Sequence, residues 1–221
     1  MKTAQADLTT GPLGKKIFRF SIPLIFSNLL QVLFNMADVA VVGRFAGSTA
    51  LGAVGSTTIF VSLFTGFLIG LSGGVNVLVA HHFGADDQKN LSDTVHSAAL
   101  TCAAAGLVLL GIGCGFACGI LRALNTKPEL MDGAVLYLRI YCLGMPALAV
   151  YNFGNAVFSA VGDTRRPLYY LSIAGVINVV LNLFFVIVCN MDVAGVAVAS
   201  IISQYFSAIL VTAALLRSRE S

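Results

Sequence analysis

The chain has 221 residues, of which 57% are hydrophobic and 10% are charged, and its formal net charge is +3. An ordinary soluble domain has roughly 25% charged residues, so this composition excludes a soluble fold and indicates an integral membrane protein surrounded by lipid. The small net charge gives no support for a nucleic-acid partner. Apolar runs of about 20 residues between short charged loops predict helices, because barrel strands would be alternating segments of roughly ten residues.

The first apolar stretch, residues 17–42, follows a polar cytoplasmic segment at 1–16 and is long enough to cross a bilayer. It carries four polar residues spaced by three, four and three positions, which places them on one face of a helix: Asn28, Gln31, Asn35 and Asp38. A helix surrounded by lipid does not carry such a stripe, so we expect it to face other helices or water. Asp38 lies near the end of the span, and an interfacial position is the alternative for that residue. Pro23 removes one backbone hydrogen bond and permits a bend.

Five further spans are predicted downstream, which makes an all-α membrane protein with six transmembrane helices. They cover residues 51–74, 95–121, 134–160, 168–188 and 194–216, followed by a tail at 217–221. The second span is extended or broken at residues 72–74, and a polar loop is expected at residues 81–93. The third span consists largely of Ala, Gly and Leu, which allows close approach of neighbouring helices.

Six spans place both termini on the same side of the membrane. Nine of the 13 Lys and Arg residues fall on that side, and positive residues are enriched in cytoplasmic loops. We therefore expect both termini to be cytoplasmic and the membrane to be the plasma membrane. The basic pair Arg165 and Arg166 fits a topology signal and a contact with lipid headgroups.

The polar residues inside the spans suggest a cation site centred on Asp38. A carboxyl group in low dielectric favours its protonated form, so it can exchange a proton with water as its surroundings open and close. It can equally bind Na⁺ when amide or hydroxyl oxygens supply further ligands. Three other spans offer such oxygens, from Asn155, Asn178, Asn182 and Ser200. The alternative for the asparagines is ordinary hydrogen bonding between helices.

Enzyme chemistry has no support in the sequence. We find no nucleotide-binding motif, no plausible Ser or Cys triad, and no paired His and Glu for a metal. The five cysteines lie in or at the end of apolar runs and are interpreted as small packing residues. We expect a protein that is not an enzyme and that needs no cofactor beyond a coupling ion, H⁺ or Na⁺.

Several segments, in this order, resemble the multidrug and toxic compound extrusion (MATE) family of transporters. They are IPLIFSNLLQVLFNMADVAVVGRFAG, VLVAHHFGADD, AVFSAVGDTRRP, INVVLNLFFV and VAGVAVAS. The resemblance implies a protein of twelve spans in two six-helix lobes that exports organic cations and other xenobiotics in exchange for H⁺ or Na⁺. This chain resembles the amino-terminal lobe alone.

The resemblance also implies roles for individual residues. Asp38 matches the carboxylate that binds the coupling cation, and Pro23 matches the proline at which the first helix bends. Asn155, Asn178 and Ser200 match the amide and hydroxyl groups of the same cluster. Asn182 departs from the pattern, because an aspartate is usual there, and Ser200 replaces a threonine.

The implied function is secondary active efflux of small cationic or amphipathic molecules by alternating access. Because the second lobe is missing, the chain is either truncated or pairs with another six-span chain, and a parallel homodimer is geometrically allowed. One alternative is a non-transporting fragment or subunit that needs the second chain. Another is a flippase for lipid-linked sugars, which would be expected to line its cavity with basic residues, whereas no Lys or Arg lies in the middle of a span here.

Overall fold

The computed structural model describes residues 13–219, which are helical apart from short turns and contain no strand. The α-helices are α1 (Leu13–Val41), α2 (Gly47–Gly84), α3 (Gln88–Ala123), α4 (Pro128–Cys142), α5 (Met145–Ala160), α6 (Arg165–Leu183) and α7 (Asp192–Arg219). Two π-helical turns, Val42–Ala46 and Phe184–Val188, follow α1 and α6. The prediction of an all-α protein is confirmed. The side chains of Asn28 and Gln31 lie outside the described part, so the predicted stripe is described only at its second half.

Four helical segments of the described chain are long and apolar enough to cross a membrane, or five if the bent pair α4 and α5 forms one span. The first of these, Ser21–Gly84, has 64 residues and contains both α1 and α2. A straight helix of that length would measure about 96 Å, roughly three times the hydrocarbon core of a bilayer. The π-helical turn and Gly47, whose φ of 87° favours glycine, separate the two helices. Consistent with this division, α1 packs against α6, whereas α2 packs against α3, α4 and α5.

Helix α2 extends beyond the second predicted span, and the polar loop predicted at residues 81–93 is wrong. Helix α2 runs unbroken through residues 72–74 to Gly84, and only residues 85–87 separate it from α3. The change from apolar to polar sequence marks the end of an apolar run, but it does not break backbone hydrogen bonds. The side chain of Asp87 begins α3 by accepting a hydrogen bond from the backbone N–H of Asn90 at 3.2 Å. The side-chain and backbone bonds from Asn90 lower the pKa of Asp87.

The fourth predicted span, residues 134–160, consists of two helices. Helices α4 and α5 meet at Leu143 and Gly144 with a bend of 46°. Pro146 explains the break, because it has no N–H to donate to the carbonyl of Cys142 and its ring would clash with that carbonyl. The hydroxyl of Tyr205 on α7 donates to the Leu143 carbonyl at 3.0 Å, which satisfies an acceptor at the break.

Close helix crossings hold the bundle together. A Cβ atom at Gly106 of α3 would lie 2.8 Å from the Cα of Pro146, and one at Gly113 would overlap the sulfur of Cys142. On α6, a Cβ atom at Gly175 would overlap the ring of Phe34 on α1. The expected close approach of the third span is therefore confirmed, and α3 packs along α4 and α5.

Candidate functional site

A chain of side-chain hydrogen bonds joins α1, α6 and α7 at Asp38. The amide nitrogen of Asn182 donates to Asp38 Oδ1 and, at 3.3 Å, to Asn178 Oδ1. The amide nitrogen of Asn178 donates to Ser200 Oγ at 3.4 Å. Ser200 Oγ donates in turn to the backbone carbonyl of Val196 at 3.0 Å. We call Asp38, Asn178, Asn182 and Ser200 the Asp38 cluster.

The helices position this cluster in the interior of the lobe. Asn178 and Asn182 are one helical turn apart on α6, so both amides project from the same face. Helix α6 packs against α1 on one side and α7 on the other, which brings the amides to Asp38 and Ser200. Asn182 is 0% exposed, Asn178 6% and Ser200 5%, while Asp38 is half-buried. The cluster therefore joins three helices through groups that water reaches poorly.

One buried oxygen of the cluster accepts no hydrogen bond from the described residues. Asn182 Oδ1 is buried and has no hydrogen-bond partner among the described residues. The amide orientation follows from its neighbours, because its nitrogen faces two oxygens, one of Asp38 and one of Asn178. A carboxylate, two amides and a hydroxyl are a set of oxygen donors that suits a proton or a hard monovalent cation.

Three residues of the Asp38 cluster, Asp38, Asn178 and Ser200, line a cavity of about 450 Å³, which we call the main cavity. This volume falls within the range of small-molecule sites, roughly 300–1,000 Å³. Asn35 and Asp38 of α1 line it, opposite hydroxyl groups of α2. Tyr137 and Tyr141 on α4 add two stacked rings whose centroids are 5.7 Å apart. Asp38 is the only acidic side chain among the described lining residues.

The structure does not bring every predicted site residue to Asp38. Asn155 lines a separate cavity of about 240 Å³, because it lies further along α5 than Asn152, which lines both cavities. Asn35 faces the main cavity. Pro23, the predicted hinge, is buried inside α1, which is helical on both sides of it, and Ser27 Oγ donates to the Pro23 carbonyl at 2.9 Å.

Several lining residues were missed by the sequence reasoning. They are Tyr137 and Tyr141, together with the α2 hydroxyls Thr57, Thr58, Ser62 and Thr65. A signal for α2 was present, since residues 58, 62 and 65 are spaced by four and three positions within an apolar run.

Comparisons with known proteins agree on one family. A family model described as MatE matches residues 23–184. The "Probable multidrug resistance protein YpnP" of Bacillus subtilis is 31% identical over 205 residues, covering 90% of this chain and 44% of that protein. The "Probable multidrug resistance protein YoeA" of the same organism is 31% identical over 186 residues, covering 82% of this chain and 40% of that protein.

A solved structure shows the same fold. A crystal structure of MATE in the bent conformation superposes with a TM-score of 0.91 at 24% sequence identity. It matches 100% of this chain and 49% of the solved chain. The chain thus spans about half the length of the relatives it matches.

Proposed function

Because the chain belongs to the MatE family, whose members are transporters and not enzymes, we propose that it forms one lobe of a secondary active efflux transporter. In this proposal, H⁺ or Na⁺ moves in exchange for small organic cations, drugs or other xenobiotics across the plasma membrane. The family supports transport, and the names of the two relatives support multidrug resistance as the physiological role.

The observation that carries the proposal is the Asp38 cluster. A carboxylate inside a membrane bundle is costly unless it has a function and partners, and here its partners come from two other helices. The cluster also opens on a cavity of about 450 Å³, large enough for a drug-sized molecule. The cation and the substrate would therefore bind at the same wall of the main cavity. The binding of one can then affect the binding of the other, as exchange requires.

Cation binding would act by shifting the population of two arrangements of α1, α6 and α7. A ligand shifts such an equilibrium only when it binds one arrangement more tightly than the other. Moving the ratio from 1:99 to 99:1 needs about a 10⁴-fold difference in affinity. Asp38 supports such a difference because it contacts α6 through one hydrogen bond, from the Asn182 amide to Asp38 Oδ1. A cation bound at Asp38 would compete with that amide for the same oxygen. Pro23 is the proposed position at which α1 bends.

The proposed topology has six spans: α1, α2, α3, the α4 and α5 pair, α6 and α7. This count treats the 64-residue segment as two spans and the bent pair as one. The termini would be cytoplasmic, as the distribution of Lys and Arg predicts. No cofactor other than the coupling ion is proposed.

The second half of the substrate pathway would come from another six-span unit. The chain covers 44% of YpnP and 49% of the solved MATE chain, so these proteins have a further segment of similar size. The same observation favours one alternative function, in which the isolated chain inserts but does not transport until a second lobe joins it.

The test compares Asp38→Asn with wild type in reconstituted vesicles. Dye efflux driven by a proton or sodium gradient reports transport, and the thermal unfolding of the purified chain with and without Na⁺ or at different pH reports cation binding. We expect Asp38→Asn to lose both responses, because the amide cannot release a proton or balance a cation.

Asp93→Asn is the matched control, since Asp93 is an exposed carboxylate near the start of α3. It should behave as wild type. Normal efflux or an unchanged cation response in Asp38→Asn would contradict the assignment. A wild-type chain that shows the cation response but no efflux would support the subunit alternative.

A further inference from the structure

A stripe of polar and small residues, interrupted by Ile69, continues along α2 beyond the main cavity. Ser62, Thr65 and Ile69 line the main cavity, and Ile69, Gly73 and Asn76 line the second cavity of about 240 Å³. The spacings of three, four, four and three positions keep these residues on one face of the helix. From Thr65 to Asn76 the stripe is about 16 Å long at 1.5 Å per residue.

A second polar stripe faces it from α5. Asn152 lines both cavities, and Asn155 and Ser159 line the second one. Their spacing of three and four positions again follows one helix face. Asn76 Nδ2 donates to the carbonyl of Ala156 at 2.8 Å, which shows that the two stripes are in contact.

The position of the second cavity in the lobe follows from the course of the two helices. On α2 the main cavity is lined by residues 54–69 and the second by residues 69–76, so the second cavity lies toward the turn at 85–87. On α5 the lining moves in the same way from residues 148–152 to residues 152–159, toward the turn at 161–164. Together the two stripes form a groove, which we call the α2–α5 groove, that runs from the main cavity toward the end with these two turns.

Contact between this groove and lipid would be energetically unfavourable. Unsatisfied polar groups cost several kcal/mol in hydrocarbon, so polar side chains in spans face other helices or water. Ser159 Oγ is buried and has no hydrogen-bond partner among the described residues. Apart from Ile69, Gly73 and Ala156, the lining consists of amides and hydroxyls, and it has no charged side chain, which suits water. A volume of 240 Å³ corresponds to about eight water molecules at roughly 30 Å³ each.

We propose that the α2–α5 groove is filled with water and gives small monovalent cations access to the main cavity from the end with the 85–87 and 161–164 turns. Water in the groove satisfies the hydroxyl of Ser159, the amide of Asn155 and the remaining polar atoms of Asn76 and Asn152. The amide nitrogens of Asn76 and Asn152 already donate to the carbonyls of Ala156 and Leu148. Asn152 is the residue at which the groove meets the main cavity. The cation part of this proposal rests on the proposed function, whereas the hydration of the groove does not.

The experiment measures the reaction of introduced cysteines with a membrane-impermeant thiol reagent, methanethiosulfonate ethyltrimethylammonium. Asn155→Cys and Ser159→Cys place the thiol in the groove, and serine to cysteine changes the size of the side chain very little. The full chain is reconstituted in vesicles and treated from each side separately. Mass spectrometry of individual peptides quantifies each site, so the five native cysteines can remain.

Val77→Cys is the matched control. Val77 directly follows Asn76 on α2 and is 67% exposed, but it does not line the groove. We expect both groove cysteines to react at least tenfold faster than Val77→Cys, and faster from the side with the 85–87 and 161–164 turns. Equal rates at all three positions, or groove cysteines that react no faster than the control, would overturn the proposal.

A second arm separates this inference from the proposed function. Ser159→Cys is also measured in the Asp38→Asn background, where cation coupling should be lost. We expect the same rate of thiol modification, because the groove does not depend on Asp38. A fall to the rate of Val77→Cys would overturn the inference, even if the assignment of Asp38 survives.

Discussion

Asp38 is attached to α6 through one amide. Asn182 uses both of its N–H groups, one toward Asp38 and one toward Asn178, and it is fully buried. Hydrogen bonds to charged groups contribute about 1.5–3 kcal/mol, more than bonds between neutral groups. At the scale of single residues, Asn182 is therefore the side chain on which the environment of Asp38 depends most.

We expect Asn182→Leu to destabilise the lobe, and to do so less in the Asp38→Asn background than in wild type. Removing the donor leaves a carboxylate without its partner in the first case and only a neutral amide in the second. The expected coupling free energy is about 0.5–3 kcal/mol. A double-mutant cycle on unfolding in detergent measures it.

Asn155→Leu serves as the control for this cycle. Asn155 is an asparagine as well, but it is half-buried and lines the α2–α5 groove, not the main cavity. Its effect should add to that of Asp38→Asn within about 0.5 kcal/mol. Strict additivity of Asn182→Leu with Asp38→Asn would argue against the link between the two residues.

The spacing of residues predicts part of this site, and polarity and the resemblance to a family predict the rest. The interval of four between Asn178 and Asn182 predicts a shared face, and the structure agrees. Which helix that face meets depends on tertiary packing, so the grouping with Asp38 was predicted from polarity and not from geometry. Asn155 was grouped with Asp38 on its polarity and on the resemblance to a family, although its position along α5 takes it to another cavity.

At the scale of whole helices, packing depends on positions where no side chain fits. A Cβ atom at Gly113 of α3 would overlap Cys142 of α4, whereas one at Gly111 would meet nothing within 4 Å. Small residues let helices approach closely where lipid offers no hydrophobic drive to associate. The contact between α3 and α4 should therefore tolerate substitution at one glycine and not at the other.

We expect Gly113→Ala to destabilise the lobe by about 1–3 kcal/mol, the usual cost of overpacking. Gly111→Ala, two positions away on the same helix, should be neutral or stabilising by up to about 1 kcal/mol because alanine favours helix. Thermal unfolding in detergent compares the two variants. Equal stability of both would show that α3 and α4 do not meet at Gly113, and Gly113→Ala combined with Cys142→Ala should recover part of the loss.

Helix ends were harder to predict than helices. The polar residues at 81–84 were assigned to a loop, yet α2 includes them because polarity does not prevent helical hydrogen bonding. The hydroxyl groups of α2 were not recognised as cavity-lining groups for a related reason. Thr57 and Thr58 donate to the carbonyl of Val54 within their own helix, so their presence in an apolar run does not reveal that they face a cavity.

At the scale of the whole molecule, polar groups line one side of a single lobe. The main cavity and the α2–α5 groove share Ile69 and Asn152, and Asn35 beside them is exposed. Such a wall is costly against lipid and favourable against a second lobe with water between them. The chain covers 49% of the solved MATE chain, and under the proposed function a second six-span unit would face this wall.

We expect the purified chain to form a dimer when no other lobe is present. Size determination by native mass spectrometry in detergent should give twice the mass of one chain at membrane-like concentrations. Cysteine at Asn35 should cross-link two copies, whereas cysteine at Val188, an exposed apolar residue in the π-helical turn after α6, should not. A monomer at every concentration would contradict the homodimer.

The neutral amide at position 182 also limits how strongly one lobe could accumulate substrate against its gradient. Asp38 is the only acidic side chain among the described lining residues of the main cavity, so under the proposed mechanism each cycle would exchange one monovalent cation. When that cation is exchanged for one monovalent organic cation, no net charge crosses the membrane, and a tenfold cation gradient of about 1.4 kcal/mol sustains at most a tenfold substrate gradient. A site with two exchangeable carboxylates would raise that ceiling to at least about a hundredfold, because the free energies of two cations add. In the proposed mechanism, an amide in place of the second acid therefore lowers the substrate gradient that the transporter can sustain. It also lowers the number of cations used for each molecule exported.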